Sequence, residues 1–360
     1  MISVIIVNYH CADLSIRAMA SVQAQAVPHE ILLVDNSVSP SEADRLAANL
    51  PPQTRLIVSP SNLGFGRACN QAYARARGDM ILLLNPDALL HPGCLEQLCK
   101  PLLADRRIGA VGPRIFWDSA RHYLLPPSIH PGPEQLLWHS MNCRYAGLRE
   151  YYSQRFRAQA IRLWQRQDPC RVDALSGGLA LLSRKALEHA GGLFDEGFFM
   201  YFEDSDLFWR LRQAGYRLAY APRAEASHSY EHHPAKHRLM VEAAPYYYAK
   251  HFAHAPRARL ANWIARRNQS VGNIELPGTQ ALGVQRGPLC LPVPEQWQQG
   301  WLLEISPSPW LVPAIGQFGQ GPQASIAADC WPLLHSGHYY SRLGAPLGKT
   351  GQMPVWQWSK

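Results

Sequence analysis

Four short runs with apolar centres, SVIIVNY, EILLVDNS, RLIVSP and MILLLN, punctuate the first 85 residues, and the stretches ADLSIRAMASVQAQ and GRACNQAYARARG between them have helical spacing. A strand that is apolar along its whole length has no side to offer water, so such strands belong in a parallel sheet covered by helices on both faces. Ligands of these sheets collect beyond the carboxyl ends of the strands. The residues found there are polar: Asn8 and Tyr9, then Asp35 and Asn36, then Asn85 and Asp87. Each alone is an ordinary turn former. Three sets along one edge mark a binding crevice.

At 360 residues and 47% hydrophobic composition the chain can build a large core and a smaller one. No stretch approaches the ~20 apolar residues that span a bilayer, and the opening ISVIIVNYH has no basic leader. The expected location is the cytoplasm, including the cytosolic face of an inner membrane. Eight cysteines without a Cys-x-x-Cys pair read as reduced thiols. The net charge of +8 is regional: residues 143–172 and 231–268 each carry seven basic against two acidic side chains, and residues 271–360 carry four against four. Without a continuous basic stripe or a nucleic-acid motif, the charge does not read as a nucleic-acid footprint. The second basic region interleaves Tyr, Phe and Trp with Arg and Lys, which suits a lipid headgroup layer or packing over a catalytic domain.

Beyond residue 110 the chain is irregular and basic until a helical stretch from about Glu150 to Arg166. Order returns at residues 172–222, where SRKALEHAGG and EDSDLFWRLRQAG read as helices closed by glycine. Residues 271–360 hold eleven of the 29 prolines and six of the 11 tryptophans, with short candidate strands GWLLEIS and ASIAA. They are expected to form a β-rich, β-sandwich-like accessory domain whose tryptophans are mostly core.

Five segments, VIIVNYH, VDNS, NLGFGRACNQA, LLLNPDA and LSGGLALLSRKALEHAGGLFDEGFFMYFEDSDLFWRLRQAGYRLAYAPRAEASH, lie in order between residues 4 and 228. With them the chain resembles the inverting family-2 glycosyltransferases, and within these the rhamnosyltransferase branch. The resemblance covers roughly residues 1–255. It implies an α/β, Rossmann-like GT-A domain over residues 1–268, with a nucleotide-sugar half at 1–110, an acceptor half at 172–230 and a basic aromatic helical segment at 240–268.

The resemblance also assigns roles. Asp35 would accept from the nucleobase, with Val7 and Asn8 forming another wall. Asn62 and Gly64 would lie along the donor pocket, and Gly177 and Gly178, after Ser176, against the donor sugar and diphosphate. Asp87 would hold Mg²⁺ or Mn²⁺, the usual remedy for charge on a departing diphosphate. The family commonly writes that site Asp-x-Asp, whereas Asn85 stands at the first position here. His228 is the expected second metal ligand, ahead of His232 and His233. Asp204 would be the general base, with Glu203 an acceptor contact or its support, although acidic residues at a helix start also serve the helix dipole. Asp195 reads as a residue that orders its loop.

The function implied is metal-dependent, inverting transfer of a hexosyl group, L-rhamnosyl from dTDP-L-rhamnose, to a saccharide or lipid-linked saccharide in cell-envelope polysaccharide synthesis. The same fold could take a UDP-sugar or GDP-mannose. A protein that binds nucleotide sugars or glycans without turnover is the rival of another class. Peripheral membrane contact and a homodimer, with the C-terminal domain as the candidate dimer contact, complete the expected partners.

Overall fold

A computed structural model describes residues 1–142, 145–229, 236–266, 275–276, 278–346 and 353–360. The chain forms two compact units: Met1–Ile115, Ser128–His130 and Arg166–Ala253 make the first, and Phe116–Pro127, Pro131–Gln165 and His254–Lys360 the second. The opening alternation becomes β1 (Ile2–Asn8), α1 (Ala12–Gln23), β2 (His29–Asp35), α2 (Pro40–Ala47), β3 (Thr54–Val58), α3 (Phe65–Tyr73) and β4 (Met80–Leu84). Then come β5 (Ala88–Leu90), α4 (Cys94–Ala104), β6 (Ile108–Phe116), α5 (Pro133–Asn142) and α6 (Ala146–Trp164). The first unit resumes with β7 (Cys170–Val172), β8 (Leu179–Ser183), α7 (Arg184–His189), α8 (Glu203–Gln213), β9 (Arg217–His228) and α9 (Lys236–Phe252). The rest is α10 (Pro256–Arg266), β10 (Thr279–Val284), β11 (Cys290–Pro292), β12 (Trp301–Ser306), β13 (Ile315–Gly319), β14 (Gln323–Ser325), β15 (His338–Gly344) and β16 (Val355–Ser359).

The sheet of the first unit has the order β3-β2-β1-β4-β8-β6-β9-β5, with β7 beside β9. Strands β1 to β4 are parallel. β8 runs antiparallel to β4 and β6, and β5 and β7 run antiparallel to β9. The sheet is thus mixed, and a mainly parallel one is found only from β1 to β4. The reason is that LALLS in β8 is as apolar as its parallel neighbours, so burial on both faces fixes no direction. Alternation along the strands sorts the core into two layers. Ile2, Val4, Ile6, Leu82 and Leu84 pack with Met19 and Val22 of α1 and with Leu95 and Leu98 of α4. Ile5, Val7, Leu32, Val34, Ile81 and Leu83 pack with Ala68 and Cys69 of α3 and with Leu207, Phe208 and Leu211 of α8.

The second unit is wider than the expected 271–360 module, and the anticipated boundary at 268–271 lies outside the described residues. Its five-stranded sheet, β10-β16-β15-β12-β13, buries Leu303, Ile305, Leu343, Trp301, Trp356 and Trp358 on one face with Trp117 and Tyr123. The other face carries α6, where Ala160, Ile161 and Trp164 meet Leu302. Residues 116–127 and α6 belong here because their aromatic and aliphatic side chains complete those two layers. The basic aromatic segment is also divided, α9 falling in the first unit and α10 in the second. Among the described residues no helix is long and apolar enough to cross a membrane.

Between the layers of the second unit lies a buried charge cluster. Glu304, 1% exposed, accepts from Arg157 Nε at 2.7 Å, Arg342 Nε at 2.8 Å and Arg342 Nη2 at 2.7 Å. Arg342 also donates to Ser153 Oγ, and Arg157 to the Ala345 carbonyl. Burial opposes ionisation of Glu304, but the guanidinium groups of Arg342 and Arg157 outweigh it and hold the carboxyl below the usual range.

Candidate active site

Strand register places most of the predicted residues. Asn8 stands opposite Asp35 at the ends of β1 and β2. Its side-chain amide donates to Asp35 Oδ1, Ser37 Oγ and Glu42 Oε2, each at 3.0 Å, while its oxygen accepts from Ser15. Asn8 is therefore a buried hub, and Val7 beside it is 7% exposed. Asp35 is fully buried, and its Oδ2 has no hydrogen-bond partner among the described residues. An unsatisfied buried acceptor is costly, so this atom is one a ligand donor would satisfy.

Asn62 lies next along the edge, its oxygen accepting from Asn36 Nδ2 and from the Gly64 N–H. Gly64 has φ +76°, and a Cβ on it would come within 2.2 Å of the Phe199 carbonyl oxygen. Phe65 donates its N–H to the same carbonyl. The start of α3 is thus used to seat the Phe199 loop, and two of its N–H groups are committed inside the protein.

The β4–β8 ladder continues past Leu84 and Leu179, where Asn85 N donates to the Gly178 carbonyl at 2.7 Å. Gly177 N donates to Asp204 Oδ2 at 3.1 Å, and a Cβ on Gly177 would lie 2.3 Å from Asp204 Cβ. The glycine pair lets Asn85 and Asp204 close on one turn. Asp204 Oδ1 accepts from Ser205 N at 2.6 Å. Burial pushes the Asp204 carboxyl up, against those hydrogen bonds from Gly177 and Ser205. Before α8 both Tyr201 and Phe202 occupy left-handed backbone, with φ of 70° and 67°. Such non-glycine conformations cost on the order of 1–3 kcal/mol each, and here they launch the helix that presents the acidic pair.

The structure separates the two acids. Asp204 is half-buried, whereas Glu203 is buried beside Gly66 and Cys69, and its Oε2 has no partner among the described residues. Burial, and then the neighbouring Asp204 charge, push Glu203 up to about 8. A carboxyl that stays protonated in the folded state while the unfolded chain ionises loses stability as pH rises between the two pKa values. Wild type is therefore expected to lose thermal stability from about pH 5 to about pH 8, and Glu203→Gln to flatten that slope in melts across the same range.

Asp87 and His228 meet across β5 and β9, where Ala88 pairs with His228. His228 Nε2 lies 2.9 Å from Asp87 Oδ1, with the histidine 7% and the aspartate 19% exposed. Cys11, raised mainly by burial, also feels Asp87 and Glu42, so these carboxylates border one region. His232 and His233 lie outside the described residues.

Sequence reading did not find how α9 is used. Lys250 and His251 reach Asp206 Oδ1 at 2.5 and 2.7 Å, and Arg210 binds Asp206 Oδ2 at 2.7 Å. Lys250 also pairs with Asp195, which accepts from Gly197 N and Tyr246 as well. The loop-ordering role expected of Asp195 matches these contacts. The packing reading accounts for Tyr247, Lys250, His251 and Phe252, and Met240, Val241 and Tyr246 remain exposed. Glu42 was also missed, because α2 has no apolar period long enough to announce it.

The family model described as Glycosyl transferase family 2 matches residues 3–191. The N-acetylglucosaminyl-diphospho-decaprenol L-rhamnosyltransferase of Mycobacterium tuberculosis is 31% identical over 255 residues, 66% of this chain and 80% of its own. The O-antigen chain rhamnosyltransferase WbaN of Salmonella anatum is 25% identical over 214 residues, 58% of each chain. Among solved structures, the mannosyltransferase PcManGT from Pyrobaculum calidifontis, in complex with GDP-Man and Mn²⁺, aligns over 76% of both chains with a TM-score of 0.45 and 20% identity.

Proposed function

Because the chain belongs to glycosyl transferase family 2, in its rhamnosyltransferase-like branch, we propose that it transfers L-rhamnose from dTDP-L-rhamnose to a hydroxyl of a saccharide or lipid-linked saccharide, with inversion. It is a hexosyltransferase of the GT-A fold. The observation that carries the mechanism is the link from Asn85, two residues before Asp87, to the Gly178 carbonyl, and from the Gly177 N–H beside it to Asp204. One end offers a carboxylate and an imidazole, the other a carboxylate held in place by the Gly177 and Ser205 N–H groups.

In this reading the orphan Oδ2 of Asp35 accepts the imide N–H of thymine, and Asn8 fixes the other oxygen so that the carboxylate cannot turn away. The Gly177–Gly178 turn brings backbone against the sugar and diphosphate. Asp204 takes the proton of the acceptor hydroxyl as its oxygen bonds to the anomeric carbon and the bond to the diphosphate breaks on the opposite face. Glu203, protonated and turned inward, supports the turn and does not exchange protons with the acceptor.

Asp87 and His228 fit a divalent cation: an oxygen and a nitrogen 2.9 Å apart, with the carboxylate still open to solvent. When bound there, Mg²⁺ or Mn²⁺ would neutralise charge on the departing diphosphate. Asn85 in place of a second carboxylate implies modest affinity. The exposed Met240 and Val241 on α9 support peripheral contact with the membrane that carries a lipid-linked acceptor.

Turnover of dTDP-L-rhamnose, UDP-galactose, UDP-N-acetylglucosamine and GDP-mannose by the full chain, with and without EDTA, tests the reading. The expected result is fastest turnover of dTDP-L-rhamnose, lost in EDTA and restored by added Mg²⁺ or Mn²⁺, with Asp87→Asn raising the metal concentration required. Preference for another donor overturns the donor assignment. Indifference to EDTA removes the metal role of Asp87, and binding without turnover of any donor points to the non-catalytic reading.

A further inference from the structure

The second unit holds a cluster that shares no residue with the site above. Asp118, His122 and Cys330 bring one oxygen, one nitrogen and one sulfur within 4.8 Å of one another. His122 Nδ1 is 3.0 Å from Asp118 Oδ2 and 3.6 Å from Cys330 Sγ, across 208 residues of sequence. Asp118 and Cys330 are 3% and 0% exposed, while His122 keeps an open edge. The Asp118 carboxylate is fixed by the N–H groups of Tyr123 at 2.8 Å and His122 at 3.0 Å. A second observation points to a missing partner. Tyr123 is fully buried, its hydroxyl has no hydrogen-bond partner among the described residues, and Cys330, Asp118 and Asp329 are its acidic neighbours.

A mixed oxygen, nitrogen and sulfur set suits a borderline ion. Tetrahedral zinc, with bonds of about 2.0–2.3 Å, separates its ligand atoms by roughly 3.3–3.7 Å; the 3.6 Å nitrogen–sulfur spacing falls in that range and the 3.0 Å oxygen–nitrogen spacing just below it. Hard cations such as Mg²⁺ avoid thiolate. We propose that Asp118, His122 and Cys330 form a structural site for a thiophilic divalent cation, zinc in the first instance, with Asp329 or a water near the Tyr123 hydroxyl as fourth ligand. The ion ties the segment after β6 to the turn between β14 and β15, two pieces that are distant in sequence, and its binding energy adds to the folding energy of the unit.

The test uses the full chain carrying Asp87→Asn, so that the donor-side carboxylate contributes little, titrated with Co²⁺ and followed by absorption. One equivalent should give a near-ultraviolet thiolate-to-cobalt charge-transfer band and four-coordinate visible bands, both removed by Zn²⁺, and Zn²⁺ should raise the melting temperature. Cys330→Ser should lose the charge-transfer band. His122→Gln, at a position open to solvent, should weaken cobalt binding by at least the roughly 10–100-fold seen when a mere supporting group is removed. The proposal is overturned if cobalt gives no charge-transfer band, or if the band survives Cys330→Ser. Should Cys330→Ser fail to fold, unchanged cobalt affinity in His122→Gln overturns it alone, leaving a hydrogen-bonded turn beside a buried thiol.

Discussion

Asp204→Asn is expected to lower kcat by about 10²–10⁴-fold, the usual worth of a positioned general base, with the melting temperature nearly unchanged. The amide keeps the size of the carboxylate but has one oxygen for the Gly177 and Ser205 N–H groups, so the α8 entry gives up one hydrogen bond, worth about 1 kcal/mol, and keeps its fold. It cannot take the acceptor proton. Donor binding should persist, because Asp35 and Asn8 are untouched. In wild type the base works only when ionised, and burial raises its pKa. Activity should therefore rise with pH through a limb above the ordinary aspartate value and fall away in acid. Steady-state kinetics across pH, with nucleotide binding measured on the variant, checks both statements. Full transfer by Asp204→Asn would remove the assignment.

Glu304→Ala should destabilise the second unit by roughly 3–5 kcal/mol, because it strands two buried guanidinium groups. At about 2–4 °C per kcal/mol for a protein of a few hundred residues, melting should fall by about 10 °C. Replacing Glu304, Arg157 and Arg342 together by apolar residues of similar volume should recover most of that loss, since the cost lies in the unpaired charges rather than in the absence of an ion pair. The acid side offers a second check. The folded carboxyl is held below its unfolded value, so its contribution is present above the ordinary glutamate pKa and is lost as pH falls through the lower folded one. Melts that show no acid limb from this residue, or a Glu304→Ala protein as stable as wild type, would contradict the account.

What the sequence disclosed follows from which signals are local. Apolar runs and glycine-closed helical stretches marked β1 to β4, α1, α3, α7 and α8. The polar strand ends marked Asn8, Asp35, Asn85 and Asp87. The direction of β8 was not legible, because LALLS is buried on both faces whichever way it runs. The resemblance gave Asp204 and Glu203 different roles, a difference that two acids at one helix start do not show by themselves; in the structure Glu203 is buried beside Cys69 and Asp204 is half-buried against the Gly177 N–H. The clasp of Lys250 and His251 on Asp206 joins residues 44 and 45 apart with no intervening period to predict it. The allegiance of α6 rested on Trp164 finding Leu302, a contact that no window of neighbouring residues contains.

That last pairing bears on how such a chain can be cut and recombined. The second unit takes its material from three places in the sequence, so the polypeptide enters it, leaves it and returns more than once. A gene fragment ending near residue 268 would not deliver the first unit plus a harmless stub. It would deliver α6 with the buried partners of Arg157 and Trp164 deleted, leaving bare guanidinium and indole surfaces for proteases and aggregation. The tail is therefore no interchangeable cassette: moving it between relatives means moving residues 116–127 and α6 with it.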